Sequence, residues 1–280
     1  MKIAGHRGAK GALPENTLPA FHLALTTGAS AVELDVRKCK SGEMVVIHDA
    51  TVDRTSNGTG NVADMTLEEL KELDFNRDAK RPEMEENWQD IPEEDRKIST
   101  LSEVLTSLHN RRNDSEEKQT GQNPHVFIEL KCEDGINAVK DIRKAVESGD
   151  YTLDELTAIG FNHEQIREVK QQNPDIRVGL TFDKADGTES KTTATPEQMI
   201  AKALAIRAEA INPNVADITP DLVDAAHNQG LEVNTWTANT EKEISNAAKS
   251  GVDCIISDYP VSARVIARDA GAEKQNGHHR

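Results

Sequence analysis

Cysteines are scarce and scattered: Cys39, Cys132 and Cys254 form no C-x-x-C pair and no even set. That excludes a disulfide framework and a zinc–thiolate site, and it suits a reducing compartment. No apolar run approaches the length of a membrane span, and the apolar residues before His6 are too few for a secretory leader. Membrane insertion is therefore not expected, and a cytoplasmic location is. Basic residues are also in short supply, 33 against 49 acidic, for a net charge of −16. Such a field repels a nucleic-acid backbone or an anionic membrane surface. An anionic substrate would need positive charge supplied locally, by a metal ion, an arginine or a lysine. Internal repeats are absent as well.

What is present is a recurring alternation. Eight apolar, β-branched runs ("KIAG", "AVELDV", "VFIEL", "TAIGF", "VGLTF", "AEAIN", "EVNTW" and "DCIIS") are separated by amphipathic stretches with helix start and stop signals. Asn162 stands three residues before Gln165, Thr195 precedes Pro196 with Gln198 following, and Thr240 is followed by Glu243, each a capping arrangement. Gly28, Gly149, Gly230 and Gly251 follow apolar-periodic runs as stop signals. In the first helix Asn16 is expected to cap and Pro19 to occupy the first turn, with Leu18, Phe21 and Leu25 on one face. Eight such units in 280 residues predict an α/β fold, a closed TIM (β/α)8 barrel made by a single domain over residues 1–280. One connection is too long for a compact βα unit. After the second strand, residues 50–97 hold their own helix, "TLEELKELD", and the acidic stretch "EMEENWQDIPEEDRK", and are expected to form a small insertion subdomain. The polar stretches "NRRNDSEEKQTGQNP" and "DKADGTESKTTA" are expected to be surface loops.

Strand parity puts Glu33 and Asp35 on one face and Val32, Leu34 and Val36 on the other; Glu129 and Lys131 share a face in the same way. With the apolar face turned to the helices, the carboxylates look into the barrel near the strands' C-terminal ends, where barrels of this type build their active sites. Inward carboxylates left unpaired are costly, which favours a metal site of Glu33, Asp35 and Glu129 over solvated acids. Oxygen ligands alone select a hard divalent cation, Mg2+ or Ca2+. His6 and His48 close "KIAG" and "MVVI". Singly each reads as a structural histidine, but together, beside the carboxylates, they supply a general base and a general acid. Arg7 carries a planar donor fork suited to phosphate, the alternative being a surface ion pair. Trp236, on the seventh strand, either lines a substrate pocket or fills the barrel. Cys132 and Cys254 read as core residues.

These residues lie in separated motifs that occur in a fixed order. "HRG" with "PENT", then "VELDVRKCKSGEMVVIHDATVDRTSNGTG", "IELK", "TWTAN" and "GVDCIISDYP" closely resemble the glycerophosphodiester phosphodiesterase family, most densely from His6 to Gly60. The resemblance implies a TIM-barrel hydrolase with a small inserted domain after the second strand. It assigns the metal to Glu33, Asp35 and Glu129, catalysis to His6 and His48, and phosphate contacts to Arg7 and Lys131, with the insertion covering the glycerol end. It also implies a small-molecule substrate, such as glycerophosphocholine or glycerophosphoethanolamine, cleaved to glycerol 3-phosphate and an alcohol. Ser41, Ser56 and Ser257 depart from the family's usual residues without touching this chemistry. Three other readings stand beside it: the same barrel acting on lysophospholipids, which an apolar membrane-facing rim would favour, a non-catalytic barrel that only binds phosphodiesters, and an isomerase or lyase barrel with a Mg2+ site, which leaves the histidine pair without a purpose. The intact histidines and carboxylates speak against the second.

Overall fold

Parity along each strand sorts this chain into an inside and an outside. The computed structural model describes residues 1–78, 91–114, 123–132, 135–183 and 194–277. The chain runs β1 (Lys2–His6), α1 (Leu18–Thr26), β2 (Ala31–Lys38), β3 (Met44–Val46), α2 (Leu67–Glu72), α3 (Leu101–Asp114), β4 (His125–Leu130) and α4 (Ile136–Glu147). It continues through β5 (Leu156–Gly160), α5 (His163–Gln172), β6 (Arg177–Thr181), α6 (Pro196–Ile206), β7 (Ala210–Asn212), α7 (Pro220–His227), β8 (Glu232–Thr235), α8 (Glu241–Ser250), β9 (Cys254–Ser257) and α9 (Pro260–Gly277). Strand β1 pairs in parallel with both β2 and β9, which closes a ring of eight parallel strands in the order β1-β9-β8-β7-β6-β5-β4-β2. The eight runs read from the sequence are these eight strands. The ninth, β3, went unread: its three residues sit inside "GEMVVIHD" and pair antiparallel with the end of β2, outside the ring.

Outward residues such as Val32, Leu34, Val126, Ile128 and Ile255 pack on helix residues including Phe21, Leu105, Ile142 and Ile244 in one continuous core. Each buried aliphatic side chain of this kind is worth about 1.5–3 kcal/mol. Inward residues fill the barrel itself: Ala4, Ala31, Phe127, Ile159, Cys254 and Ile256 cluster there. Near the β7–β8 side, the buried Asn234 donates its Nδ2 to Asn212 Oδ1 at 3.0 Å. The charged residues gather on the opposite side of the mouth, at β1, β2 and β4. Register explains it, since His6 stands beside Glu33 and Asp35 beside Glu129.

The caps at Asn162, Thr195 and Thr240 form as expected, the last two as full capping boxes. The first helix differs. Thr17, not Asn16, is its cap, accepting from Ala20 N, and Asn16 takes a left-handed φ of 59° that turns its side chain toward β2. Asn tolerates that region better than most residues because its short amide can bond locally.

The expected insertion, residues 50–97, includes residues 79–90, which lie outside the described residues. The remainder carries α2, started by a Thr66–Glu69 capping box, and its Val52, Val62, Leu70 and Phe75 join Cys39, Val45, Ile47 and Ile98 from the flanking chain in a second hydrophobic cluster. The chain rejoins the barrel where Val46 N donates to Ser99 O, and Thr100 and Glu103 then exchange hydrogen bonds to start α3. That helix extends to Asp114, so the start of "NRRNDSEEKQTGQNP" is helical rather than loop; residues 115–122 and 184–193 lie outside the described residues. Among the described residues no helix is long and apolar enough to cross a membrane.

Candidate active site

The tip of β1 is pressed against α1. A Cβ on Gly5 would meet Ala24 Cβ at 2.7 Å, and one on Gly8, whose φ is +82°, would meet the Ala20 carbonyl carbon at 2.5 Å. Only glycine fits either position. The turn they allow gives Arg7 a φ of 52°, and its backbone N–H donates to Glu33 Oε2 at 3.0 Å. Non-glycine residues with positive φ are uncommon and store strain. Two of them, Arg7 and Asn16, both end at Asp35: Arg7 Nε lies 3.1 Å from Asp35 Oδ2, and Asn16 Nδ2 donates to the same oxygen at 2.9 Å. The Arg7 guanidinium also donates to Glu15 Oε1 at 2.9 Å.

Each of the two histidines has a carboxylate on Nδ1. His6 Nδ1 is 2.5 Å from Asp258 Oδ1, and His48 Nδ1 is 2.6 Å from Asp49 Oδ1. Asp258 is in turn held by Asn239, whose Nδ2 donates to Oδ2 at 3.0 Å and whose Oδ1 accepts from the Asp258 backbone N–H. Against burial, which pushes its pKa up, the His6 hydrogen bond and the charges around it keep the Asp258 carboxyl at about 2. Asp49 is likewise held below the usual carboxylate range by Arg54 and His48, which outweigh its burial. With both acids ionised, the shared protons sit on Nδ1, and each ring keeps an Nε2 lone pair. Burial, only partly offset by these carboxylates, lowers the pKa of both His6 and His48, so both rings are neutral at pH 7. Arg37, the next inward residue of β2, donates Nε to the carbonyl of His48 and Nη1 to that of Lys131.

Glu33, Asp35 and Glu129 converge as parity requires. They are 2%, 0% and 8% exposed, and one oxygen of each lies within 4.8 Å of the other two. Burial and mutual repulsion push Glu33 well above the usual carboxylate range and Glu129 up to about 7. Asp35 stays at about 2, because Arg7 and Lys131 outweigh its own burial. Glu33 Oε1, Asp35 Oδ1 and Glu129 Oε1 are buried without a well-aligned hydrogen bond, although Lys131 Nζ approaches the last at 2.7 Å. Three convergent, under-coordinated carboxylate oxygens and no nitrogen or sulfur donor among them make a donor set that fits a hard divalent cation.

Lys131 Nζ also lies 3.6 Å from Asp35 Oδ1 and over the Phe161 ring at 5.4 Å. Trp236 packs edge-on against Phe161 at 5.2 Å and donates Nε1 to the carbonyl of Asn212 at 3.0 Å. The indole and Lys131 thus share the Phe161 ring as a neighbour, and the partly buried indole packs on the cluster inside the barrel. Cys254 is fully buried in the barrel; Cys132 is only partly buried against the outer core.

Sequence reading brought His6, Arg7, Glu33, Asp35, His48, Glu129 and Lys131 to one end of the barrel, but it missed the groups that hold them. Glu15, Asp49, Arg54, Asn239 and Asp258 had no assigned part. All but Asn239 are charged residues in strings already singled out, "PENT", "IHD", "VDRT" and "SDYP", and Asn239 closes "TWTAN".

The sequence matches the glycerophosphoryl diester phosphodiesterase family over residues 6–262. A glycerophosphodiester phosphodiesterase of Caldanaerobacter subterraneus is 31% identical over 274 residues, covering 96% of this chain and 98% of that one. The solved glycerophosphodiester phosphodiesterase of Agrobacterium tumefaciens is 28% identical with a TM-score of 0.70, over 94% of this chain and 99% of that one. An Oleispira antarctica phosphodiesterase, solved with its product sn-glycerol-3-phosphate, shares the fold at a TM-score of 0.75 and 24% identity, over 96% of this chain and 97% of that one.

Proposed function

The chain belongs to the glycerophosphoryl diester phosphodiesterase family, and from that premise we propose that His6 and His48 move the protons of phosphodiester hydrolysis beside a divalent cation held by Glu33, Asp35 and Glu129. The hydrolase activity itself comes with the family. The observation that supports the assignment of roles is the matched pair of imidazoles, each with Nδ1 committed to a carboxylate and Nε2 left to act.

A phosphodiester resists attack because its charge repels the nucleophile and its leaving alkoxide is basic. Bound at the three carboxylates, Mg2+ or Ca2+ would supply Lewis acidity and a template for a non-bridging phosphate oxygen. The guanidinium of Arg7 and the ammonium of Lys131 neutralise charge that grows on the phosphoryl oxygens. One imidazole Nε2 takes the proton of the attacking oxygen, from water or from the neighbouring glycerol hydroxyl. The other ring must first take up a proton as imidazolium, which the incoming anionic phosphodiester favours, and its Nε2 then gives that proton to the departing alkoxide as the P–O bond breaks. The products are glycerol 3-phosphate and a free alcohol, with glycerophosphocholine and glycerophosphoethanolamine as substrates. Residues 1–280 act as one catalytic domain, in which residues 50–97 are an insertion covering the glycerol end and Trp236 borders the substrate. Three free cysteines suit work in the cytoplasm.

Turnover of glycerophosphocholine with Mg2+ or Ca2+, with and without EDTA, tests the reading. His6→Ala and His48→Ala should each lower kcat by about 10²–10⁴-fold while Mg2+ binding measured by calorimetry stays nearly unchanged. Full activity after chelation would remove the metal from the scheme, and near-wild-type turnover of either variant would remove that histidine.

A further inference from the structure

His48 stands apart from the other site residues in how it is held. It lies in the loop after β3, not in a strand of the ring, and its side chain is 30% exposed. Arg37 fixes its backbone carbonyl, but the orientation of its ring depends on Asp49. Asp49 is itself a loop residue, and what holds it is Arg54. The Arg54 guanidinium donates Nε to Asp49 Oδ2 at 2.7 Å and Nη2 to Asp49 Oδ1 at 3.2 Å. Its other edge donates Nη1 to Glu15 Oε2 at 2.9 Å and Nη2 to Glu15 Oε1 at 2.6 Å. Glu15, 8% exposed, is the residue that also receives Nη1 of Arg7. One planar cation thus hydrogen-bonds two carboxylates at once, on the β1–α1 loop and on the segment after β3, each orienting a different member of the site, while Nη1 also lies 3.6 Å from Asp78 Oδ1.

We propose that Arg54 is the positioning residue of this site: bridging Glu15 and Asp49, it fixes the ring of His48 and the guanidinium of Arg7 together. The inference rests on the catalytic role proposed for His48. Arginine is required because its rigid fork places paired N–H groups on two edges; a lysine ammonium has no second edge and can serve one carboxylate well at a time. Burial raises the cost of losing the bridge, since Glu15 would remain as a buried charge stripped of its two hydrogen bonds from Arg54, with Arg7 and Lys10 left to offset it.

The test is a double-mutant cycle on the full-length, metal-loaded enzyme with glycerophosphocholine as substrate. Arg54→Met alone should lower kcat by about 10–100-fold, the range seen when an outer partner of a functional histidine is removed, and raise KM through the loosened Arg7. In the His48→Ala background no ring remains to be oriented and only the arm through Arg7 is left, so the same substitution should cost at least about 3-fold less in kcat than it does in the wild type, because coupled residues are not additive. Nitrogen-15 NMR of the imidazoles supplies a readout independent of turnover: His48 should be an Nδ1–H tautomer in the wild type and a tautomer mixture in Arg54→Met. Should Arg54→Met not fold, Arg54→Lys keeps the charge and should still lose most of the kcat. Equal losses in both backgrounds, an unchanged His48 tautomer, or wild-type kcat in Arg54→Lys would each overturn the proposal. A fully active His48→Ala would instead strike the catalytic role of His48 itself, and the relay from Arg54 with it.

Discussion

An imidazole works as a directed proton carrier when its second nitrogen is committed elsewhere, and here both rings meet that condition through an aspartate, Asp258 from 252 positions away for His6 and the adjacent Asp49 for His48. The charges that hold such groups have a cost in acid. Glu15 is kept at about 2, against an ordinary 4.5, by Arg54 and Arg7 acting against its burial. A carboxyl with a depressed folded-state pKa stabilises the fold above its unfolded pKa and loses that contribution as pH falls from about 4.5 toward 2. The contribution is on the order of 3 kcal/mol. Urea unfolding of wild type and Glu15→Gln at pH 6 and pH 2.5 should therefore converge: the variant is less stable at pH 6 and loses about that much less on acidification. Parallel loss in the two proteins would contradict the bridge. At this scale parity made Glu33, Asp35 and Glu129 legible, because alternation is a local property of a strand. The Arg54 bridge was not legible, because which charge meets which across 39 positions is decided by loop packing that no local pattern encodes.

The elements that aim these residues depend on close approach more than on propensity. Helix α1 packs so tightly on the tip of β1 that Ala9 N donates to the Ala20 carbonyl at 2.8 Å. Gly8→Ala would add a Cβ 2.5 Å from the Ala20 carbonyl carbon at a backbone angle alanine disfavours. A loss of about 2 kcal/mol or more is expected, with a fall in kcat/KM because Arg7 is the preceding residue; calorimetric melting and steady-state kinetics read both. A variant that melts and turns over like wild type would show that the turn is not constrained. Capping chemistry at Thr195 and Thr240 was readable because donor and acceptor are three residues apart. Asn16 misled, since Asn and Thr are both good caps and adjacent in "ENT", and the choice fell to the amide contact with Asp35. Strand β3 escaped notice because three residues carry too little alternation to separate from a loop.

Across the whole molecule an acidic surface, net −16, surrounds a mouth in which Arg7, Arg37, Arg54 and Lys131 collect beside the three carboxylates. The barrel therefore carries in its upper layer a repulsion that a bound cation relieves in the folded state alone. Saturating Mg2+ or Ca2+, at about 100 times its Kd, should stabilise by about 2.7 kcal/mol and raise Tm by several degrees, and EDTA should reverse the shift. Asp35→Asn should melt at the same temperature with and without the ion. An equal shift in that variant would place the ion elsewhere.

The seam of the ring lies between the first strand and the last, where Lys2 to Gly5 register against Cys254 to Ser257. Until β9 has been made, then, one edge of β1 waits uncovered, and only the end of that strand delivers Asp258 to His6. A chain that stops before that strand lacks the carboxylate that His6 Nδ1 meets in the closed ring. Such an unpaired margin is a ready template for pairing with another chain, which the closing strand removes.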